Sequence, residues 1–307
     1  MESEFVEWLR LRLPAGAAVE VGLGDDAAVL FPFANQCVVT SDMLMDGVDF
    51  VLGDVDPRRA GRKALAVNLS DLAAMAARPV AAIVSLALPR NGGATLAREL
   101  YEGMLPLADE MDVVVAGGDT NSWDHPLVIS VTLLGDAGSQ GPLLRSGGIP
   151  GDEILVTGHF GGSLLGKHLD FQPRVPEAMK LRGAYDLHAA IDVSDGLGLD
   201  LSRLAKESGC GALIELDAIP VSADAVRFAA SADDGLSARQ HALADGEDFE
   251  LVFTVSSQEA ALLLNDQPLD VPLSRIGRLV DEPGLWQSTA DGRVPLEPHG
   301  YQHQFEP

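Results

Sequence analysis

Positive charge is scarce in this chain: 21 Lys and Arg stand against 46 Asp and Glu, for a formal net charge of −25. That balance argues against nucleic acid or an anionic membrane surface as a partner held by bulk charge. An acidic chain that handles phosphate groups must bring positive charge in locally, and a divalent metal is an economical source. Cysteine is nearly absent. Cys37 and Cys210 lie far apart, with no CxxC and no Cys/His cluster, so a zinc site is not expected and a reduced, cytoplasmic setting is. The seven histidines form no pair at metal-ligand spacing, and no G-x-S-x-G nucleophile elbow occurs. Long apolar runs are missing too. The most apolar stretch, Leu72 to Leu88, is broken by Arg78 and Pro79 and is too short on either side to span a bilayer. Met1 to Gly16 lacks the basic-then-apolar layout of a signal peptide.

What is present suits two domains. The 307 residues are 47% hydrophobic, enough for two cores. Cys37 to Ser41 reads as a strand. Asp56-Pro57 reads as an N-cap and first turn, and apolar residues at helical spacing (Leu65, Leu69, Leu72, Met75) predict a helix through Ala77. Val80 to Leu88 reads as a buried strand and Ala94 to Glu110 as a helix, apart from its proline at 106. Asp112 to Ala116 and Leu127 to Leu134 read as strands. A Gly, Ser and Pro-rich loop covers Gly135 to Gly151, and the boundary is placed inside it, giving domains 1–143 and 144–307. Beyond it, Glu153 to Thr157, Ala190 to Val193, Ala212 to Leu216 and Leu251 to Val255 read as strands, and Leu199 to Ser208 as a helix. Strands and helices mix without strict alternation, which predicts an α+β chain of two domains with helices packed on sheets.

Five acidic clusters share one local design, in which an apolar segment ends and carboxylates appear beside glycine or small hydroxyl residues. They are Gly24-Asp25-Asp26, Thr40-Ser41-Asp42, Gly117-Gly118-Asp119-Thr120, Asp192-Val193-Ser194-Asp195-Gly196 and Gly246-Glu247-Asp248. Asp71 joins them from inside the first helix, on the face it shares with Asn68. Asp is short and stiff, so its carboxylate follows the backbone closely, while glycine lets a ligand approach. Magnesium takes a few such carboxylates plus substrate phosphates. Each cluster alone is also ordinary turn chemistry; six together point to a metal or phosphate site of unspecified purpose. Gly161 to Lys167 matches G-x-x-x-x-G-K, but His168 stands where a phosphate loop needs Ser or Thr. A closely packed glycine turn is the expectation there.

Read in order, these stretches resemble the thiamine-monophosphate kinase family, within the group that includes aminoimidazole ribonucleotide synthetase and selenophosphate synthetase. The matching segments are Gly22-Leu-Gly-Asp-Asp-Ala-Ala-Val-Leu30, Thr40-Ser-Asp-Met-Leu44, Lys63-Ala-Leu-Ala-Val-Asn-Leu-Ser-Asp-Leu-Ala-Ala-Met75, Gly117-Gly-Asp-Thr120, Arg145-Ser-Gly147, Pro150-Gly-Asp152, Ala190-Ile-Asp-Val-Ser-Asp-Gly-Leu197 and Gly246-Glu-Asp-Phe-Glu-Leu251. The resemblance implies a homodimer formed across the sheet of the N-terminal domain, and a C-terminal domain that closes over the active site. It implies that Asp26, Thr40, Ser41, Asp42, Asp71, Asp119, Asp192 and Asp195 bind magnesium, with Asp42, Asp71, Asp119 and Asp192 central to catalysis. It places Gly118, Asp119, Arg145 and Ser194 on ATP. It places Glu247 and a C-terminal aromatic, here Phe305, on the thiamine part. The implied reaction moves the γ-phosphoryl of ATP onto thiamine monophosphate, giving thiamine diphosphate and ADP. A related ATP-dependent enzyme acting on a different small acceptor is the alternative.

Three departures from the family pattern fall near the acceptor. Asp49, in Gly47-Val-Asp-Phe50, stands where the family usually has a substrate-contacting histidine. An anion there would repel a phosphate unless it binds a metal or meets the cationic thiazolium. Asn121-Ser-Trp123 replaces the usual Thr-Arg-Gly, and the stretch from Gly161 to Asp192 is short.

Overall fold

Periodic apolar residues become two main sheets with helices packed on them, beside one two-stranded ribbon, an α+β architecture. The computed structural model describes residues 2–13, 18–22, 27–232 and 234–303. The chain divides into two units, Met1–Leu72 with Ala77–Pro142, and Ala73–Ala76 with Leu143–Pro307.

The first unit contains α1 (Glu2–Arg10), β1 (Val19–Val21), β2 (Val29–Leu30), β3 (Cys37–Met45), α2 (Pro57–Ala74), β4 (Arg78–Pro89), α3 (Gly93–Glu110), β5 (Val114–Trp123) and β6 (Val128–Asp136). Its main sheet has the order β3-β6-β4-β5. All neighbours are antiparallel except β4 and β5, which are parallel because α3 carries the chain back between them. Asp56 starts α2 as the sequence predicts, its carboxylate accepting from the Arg58 amide at 2.9 Å. The helix stops at Ala74, short of the expected Ala77, because Ala76 takes a left-handed φ of 49°. Helices α2 and α3 pack backbone to backbone: a Cβ on Gly61 would strike the Leu100 carbonyl, and one on Gly103 the Arg58 carbonyl. Helix α3 runs through Pro106, since burial of Leu100, Met104 and Leu107 offsets the missing hydrogen bond.

Alternation along β3 decides what the sheet presents. Val38 and Leu44 are buried, with Thr40 and Asp42 between them on the same side, whereas Cys37, Val39, Ser41 and Met43 are exposed. Strand β5 extends well past the expected Ala116 and takes Gly117 to Thr120 into the sheet. Two of the acidic clusters therefore lie within strands, not at strand ends, because the β4–β5 and β3–β6 ladders continue through them.

The second unit contains β7 (Glu153–Thr157), α4 (Lys167–Asp170), α5 (Val175–Ala184), β8 (Leu187–Asp192), α6 (Leu197–Glu207), β9 (Gly211–Ile214), α7 (Ala223–Ser231), α8 (Ala238–Ala244), β10 (Leu251–Val255), α9 (Ser257–Asp266), β11 (Leu273–Val280), β12 (Gly284–Thr289) and β13 (Gly292–Pro295). Its sheet has the order β13-β12-β9-β11-β7-β10-β8. The core gathers Ile154, Val156, Ile191, Leu201, Leu204, Ile214, Val252 and Ile276 between the sheet and α6. Among the described residues, no helix is long and apolar enough to cross a membrane.

Candidate functional site

Thr40 and Asp42 stand two residues apart on β3, so their side chains share one face. Asp71 meets them from α2: the Thr40 hydroxyl donates to Asp71 Oδ2, and Asp42 and Asp71 share a hydrogen bond. Burial first, then the Asp71 and Asp49 carboxylates, pushes Asp42 up to about 7. Asp42 Oδ2 is buried with no hydrogen-bond partner. An unpartnered buried oxygen beside a second carboxylate is costly unless a cation or a proton meets it. A hydroxyl and two carboxylates form the hard oxygen donor set that magnesium takes, with substrate phosphates completing the shell. Among the described residues, no three His, Cys, Asp or Glu side chains gather into a metal-holding group, so the fit rests on this pair with Thr40.

The other candidates of the first unit are not all brought to that point. Ser41 lies on the opposite face of β3, where its hydroxyl lies 2.9 Å from that of Thr132 and donates to the Val131 carbonyl at 3.3 Å. Asp119 is exposed on β5, opposite Ser85, in line with Ser130 and Met43 across the sheet. It therefore faces the same side as Met43. Strands β3 and β5 are the two edges, three strand spacings of roughly 4.8 Å apart, on the order of 14 Å. Gly118 is required by packing, since a Cβ there would strike the Val84 carbonyl. Asp49 turns inward: its carboxylate accepts from the Met45 amide at 2.6 Å, and its carbonyl accepts from the buried Lys63 ammonium at 2.8 Å. Asp26 lies outside the described residues.

In the second unit Asp192 closes β8 and is buried. Ser194 and Asp195 follow in the turn before α6. Asp195 already meets Arg203 at 2.5 Å, and Arg203 bridges to Asp200 at 2.7 Å. Asp200, 1% exposed, caps the turn by accepting from the Asp195 and Gly196 amides at 2.9 and 3.1 Å. Burial is the main cause of its pKa rising to about 6. Arg145 is exposed, and its segment is fixed by Ser208, whose hydroxyl donates to the Arg145 carbonyl at 2.6 Å. Glu247 is half-buried, in a loop whose amide at 247 donates to the Ser194 carbonyl at 2.7 Å. Phe305 lies outside the described residues.

The turn resembling a phosphate loop is filled from within. The Gly161 amide donates to both oxygens of Asp248 at 3.0 Å, and the Gly162 amide to Asp245 at 2.7 Å. Lys167 donates to Glu250 at 3.0 Å and lies 3.8 Å from Asp248. The amides and the lysine that would cradle a phosphate are thus satisfied by buried carboxylates. Arg174 completes the group with two 2.8 Å bonds to Glu250. Burial works against the Glu250 charge, but Arg174 and Lys167 outweigh it and hold its carboxyl below the usual range. Asp248 is dominated by burial, which pushes it up to about 7.

Sequence reasoning did not single out Lys63, Asp200, Asp248 as an anchor, or the Glu250–Arg174–Lys167 group. A charge inside an otherwise apolar run was the available signal for Glu250, set in Phe249 to Val255. Nothing local marks Arg174, while Lys63 heads a family-matching segment without a role assigned to it.

Residues 24–137 match the family described as AIR synthase related protein, N-terminal domain. The thiamine-monophosphate kinase of Rhodopirellula baltica is 44% identical over 99% of this chain and 97% of its own. The solved thiamine-monophosphate kinase of Stenotrophomonas maltophilia aligns with a TM-score of 0.77 at 35% identity, covering 92% of this chain and 94% of that one. The structure of AaThiL complexed with AMPPCP and TMP aligns with a TM-score of 0.78 at 27% identity, covering 99% and 97%. With a match of that depth along nearly the whole length, the chain belongs to the thiamine-monophosphate kinase family.

Proposed function

We propose that this chain transfers the γ-phosphoryl group of ATP to the phosphate of thiamine monophosphate, with magnesium, giving thiamine diphosphate and ADP. The observation that carries the reading is the Thr40–Asp42–Asp71 group, a half-buried oxygen donor set with the Asp42 Oδ2 atom buried and unpartnered, inside a chain of this family. Magnesium held there would supply the positive charge that two approaching phosphates need. The protein's own residues do the remaining work. The acceptor phosphate has a second pKa of about 6 and is largely dianionic at neutral pH, so no strong base has to unmask it. Arg145, exposed on a segment anchored by Ser208, offsets the repulsion between donor and acceptor. Asp192, Ser194 and Asp195 serve the nucleotide and its metal, and Glu247 serves the thiamine part. Asp49 braces the turn that follows β3, with its carboxylate committed to the Met45 amide.

The reading includes a homodimer. One face of the first sheet, partly covered by Val19, Leu30 and Phe33, leaves Val39, Met43 and Ile83 59%, 60% and 39% exposed, an apolar surface of the kind that marks an interface. Asp119 lies on this face, at the edge far from Asp42.

Product analysis tests the reaction. The folded protein, given ATP, magnesium and thiamine monophosphate, yields ADP and thiamine diphosphate. Release of AMP, or ADP formation only with another acceptor, assigns the chain to a different chemistry.

A further inference from the structure

Glu247 sits in an unusual stretch of backbone. Gly246, Glu247 and Phe249 take φ of 73°, 51° and 50°, and the last two are not glycines. Left-handed conformations at ordinary residues persist only where the surroundings over-determine them, and they cluster at ligand clamps. Here nearly every residue of the loop is pinned from a different segment. The Ser163 hydroxyl donates to the Gly246 carbonyl at 2.7 Å. The Glu247 amide donates to the Ser194 carbonyl at 2.7 Å, the Phe249 amide to the Val193 carbonyl at 2.8 Å, and the Val193 amide to the Glu250 carbonyl at 2.9 Å. The Phe249 ring stacks on Phe171 at 3.9 Å. Asp248, 1% exposed, is held by the Gly161 amide, which donates to both of its oxygens. Glu247 is half-buried while Gly246 and residues 248–250 are buried, so the loop presents one carboxylate.

We propose that Asp248 is a positioning residue for the acceptor: seated in the Gly161–Gly162 turn, it holds the Gly246–Glu250 loop in the backbone conformation that presents Glu247. The proposal rests on the reading that thiamine monophosphate is the acceptor and that Glu247 meets it. The glycine turn, which has the outline of a phosphate loop, is then the socket for an internal anion. Without the peg, Glu247 relaxes toward ordinary backbone angles and its carboxylate moves by ångströms, enough to weaken a fixed substrate contact.

Steady-state kinetics on the full chain test this, with thiamine monophosphate and ATP varied separately. Asp248→Ala raises KM for thiamine monophosphate by roughly tenfold and leaves KM for ATP within about twofold. Asp248→Asn keeps an acceptor for the Gly161 amide and stays within about threefold of wild type on both. Ser163→Ala, which removes the strap on Gly246, shifts the same KM in the same direction, and it decides the matter if thermal melts show Asp248→Ala to be unfolded. Equal shifts in both KM values, a fall in kcat alone, or no shift in a folded Ser163→Ala overturns the proposal. A folded wild type with no turnover of thiamine monophosphate overturns the functional reading first, and this inference with it.

Discussion

Asp49 shows how a residue can leave its family pattern and still have a defined task. Its carboxylate accepts from the Met45 amide and its carbonyl from Lys63, while the same carboxylate helps raise Asp42. Asp49→Ala is expected to lower stability by about 1 kcal/mol, the net worth of such a bond, and to leave KM for thiamine monophosphate within about twofold. Chemical denaturation and kinetics on the same preparation check it; a large KM change with stability intact would return Asp49 to the substrate. The sequence identified Asp42 and Asp71 as site candidates because motif and helical spacing both marked them. It did not reveal the role of Asp49, because a side chain that folds back on its own turn carries no periodic signal. Asp200 escaped for the same reason: its partners are the amides of Asp195 and Gly196, set by a turn that no residue type announces.

At the scale of elements, strands with strong apolar runs were legible, and Glu153–Thr157 and Leu251–Val255 match their expected bounds residue for residue. Helices α5, α7, α8 and α9 and the strands after Leu273 were not singled out. The four helices are only 7 to 10 residues long, and tertiary packing fixes elements that short more than local propensity does. The β10 entrance carries the electrostatic consequence. Asp248 is raised to about 7 in the fold, against an ordinary value of 3.8, so its contribution is fully present below pH 3.8 and is lost as pH rises through about 7. Glu250 is held below its ordinary 4.5, so its contribution is present above pH 4.5 and is lost as pH falls below that. Asp248→Asn should therefore gain stability relative to wild type as pH rises from 3.8 to about 7, by a few kcal/mol at most, and hold that gain above it. Glu250→Gln should lose its disadvantage as the pH falls below 4.5. Urea unfolding across that range reads both slopes; parallel profiles for wild type and variants would refute the assignment.

For the whole molecule, the net charge of −25 favours dispersion in water, and the exposed apolar sheet face is where the proposed dimer would form. Met43→Asp places a charge on that face, at its β3 edge, and is expected to convert a dimer to monomers in sedimentation. A wild type that sediments as a monomer with full activity would remove the dimer from the account. The most direct measurement is the rate of thiamine diphosphate formation from ATP and thiamine monophosphate as magnesium is titrated, in wild type and in Asp42→Asn and Asp71→Asn. The account predicts one thiamine diphosphate per ADP in wild type, and a loss of roughly a hundredfold or more in each variant with the melting temperature not lowered. Wild-type rates in either folded variant, or no thiamine diphosphate from the folded wild type, would contradict it.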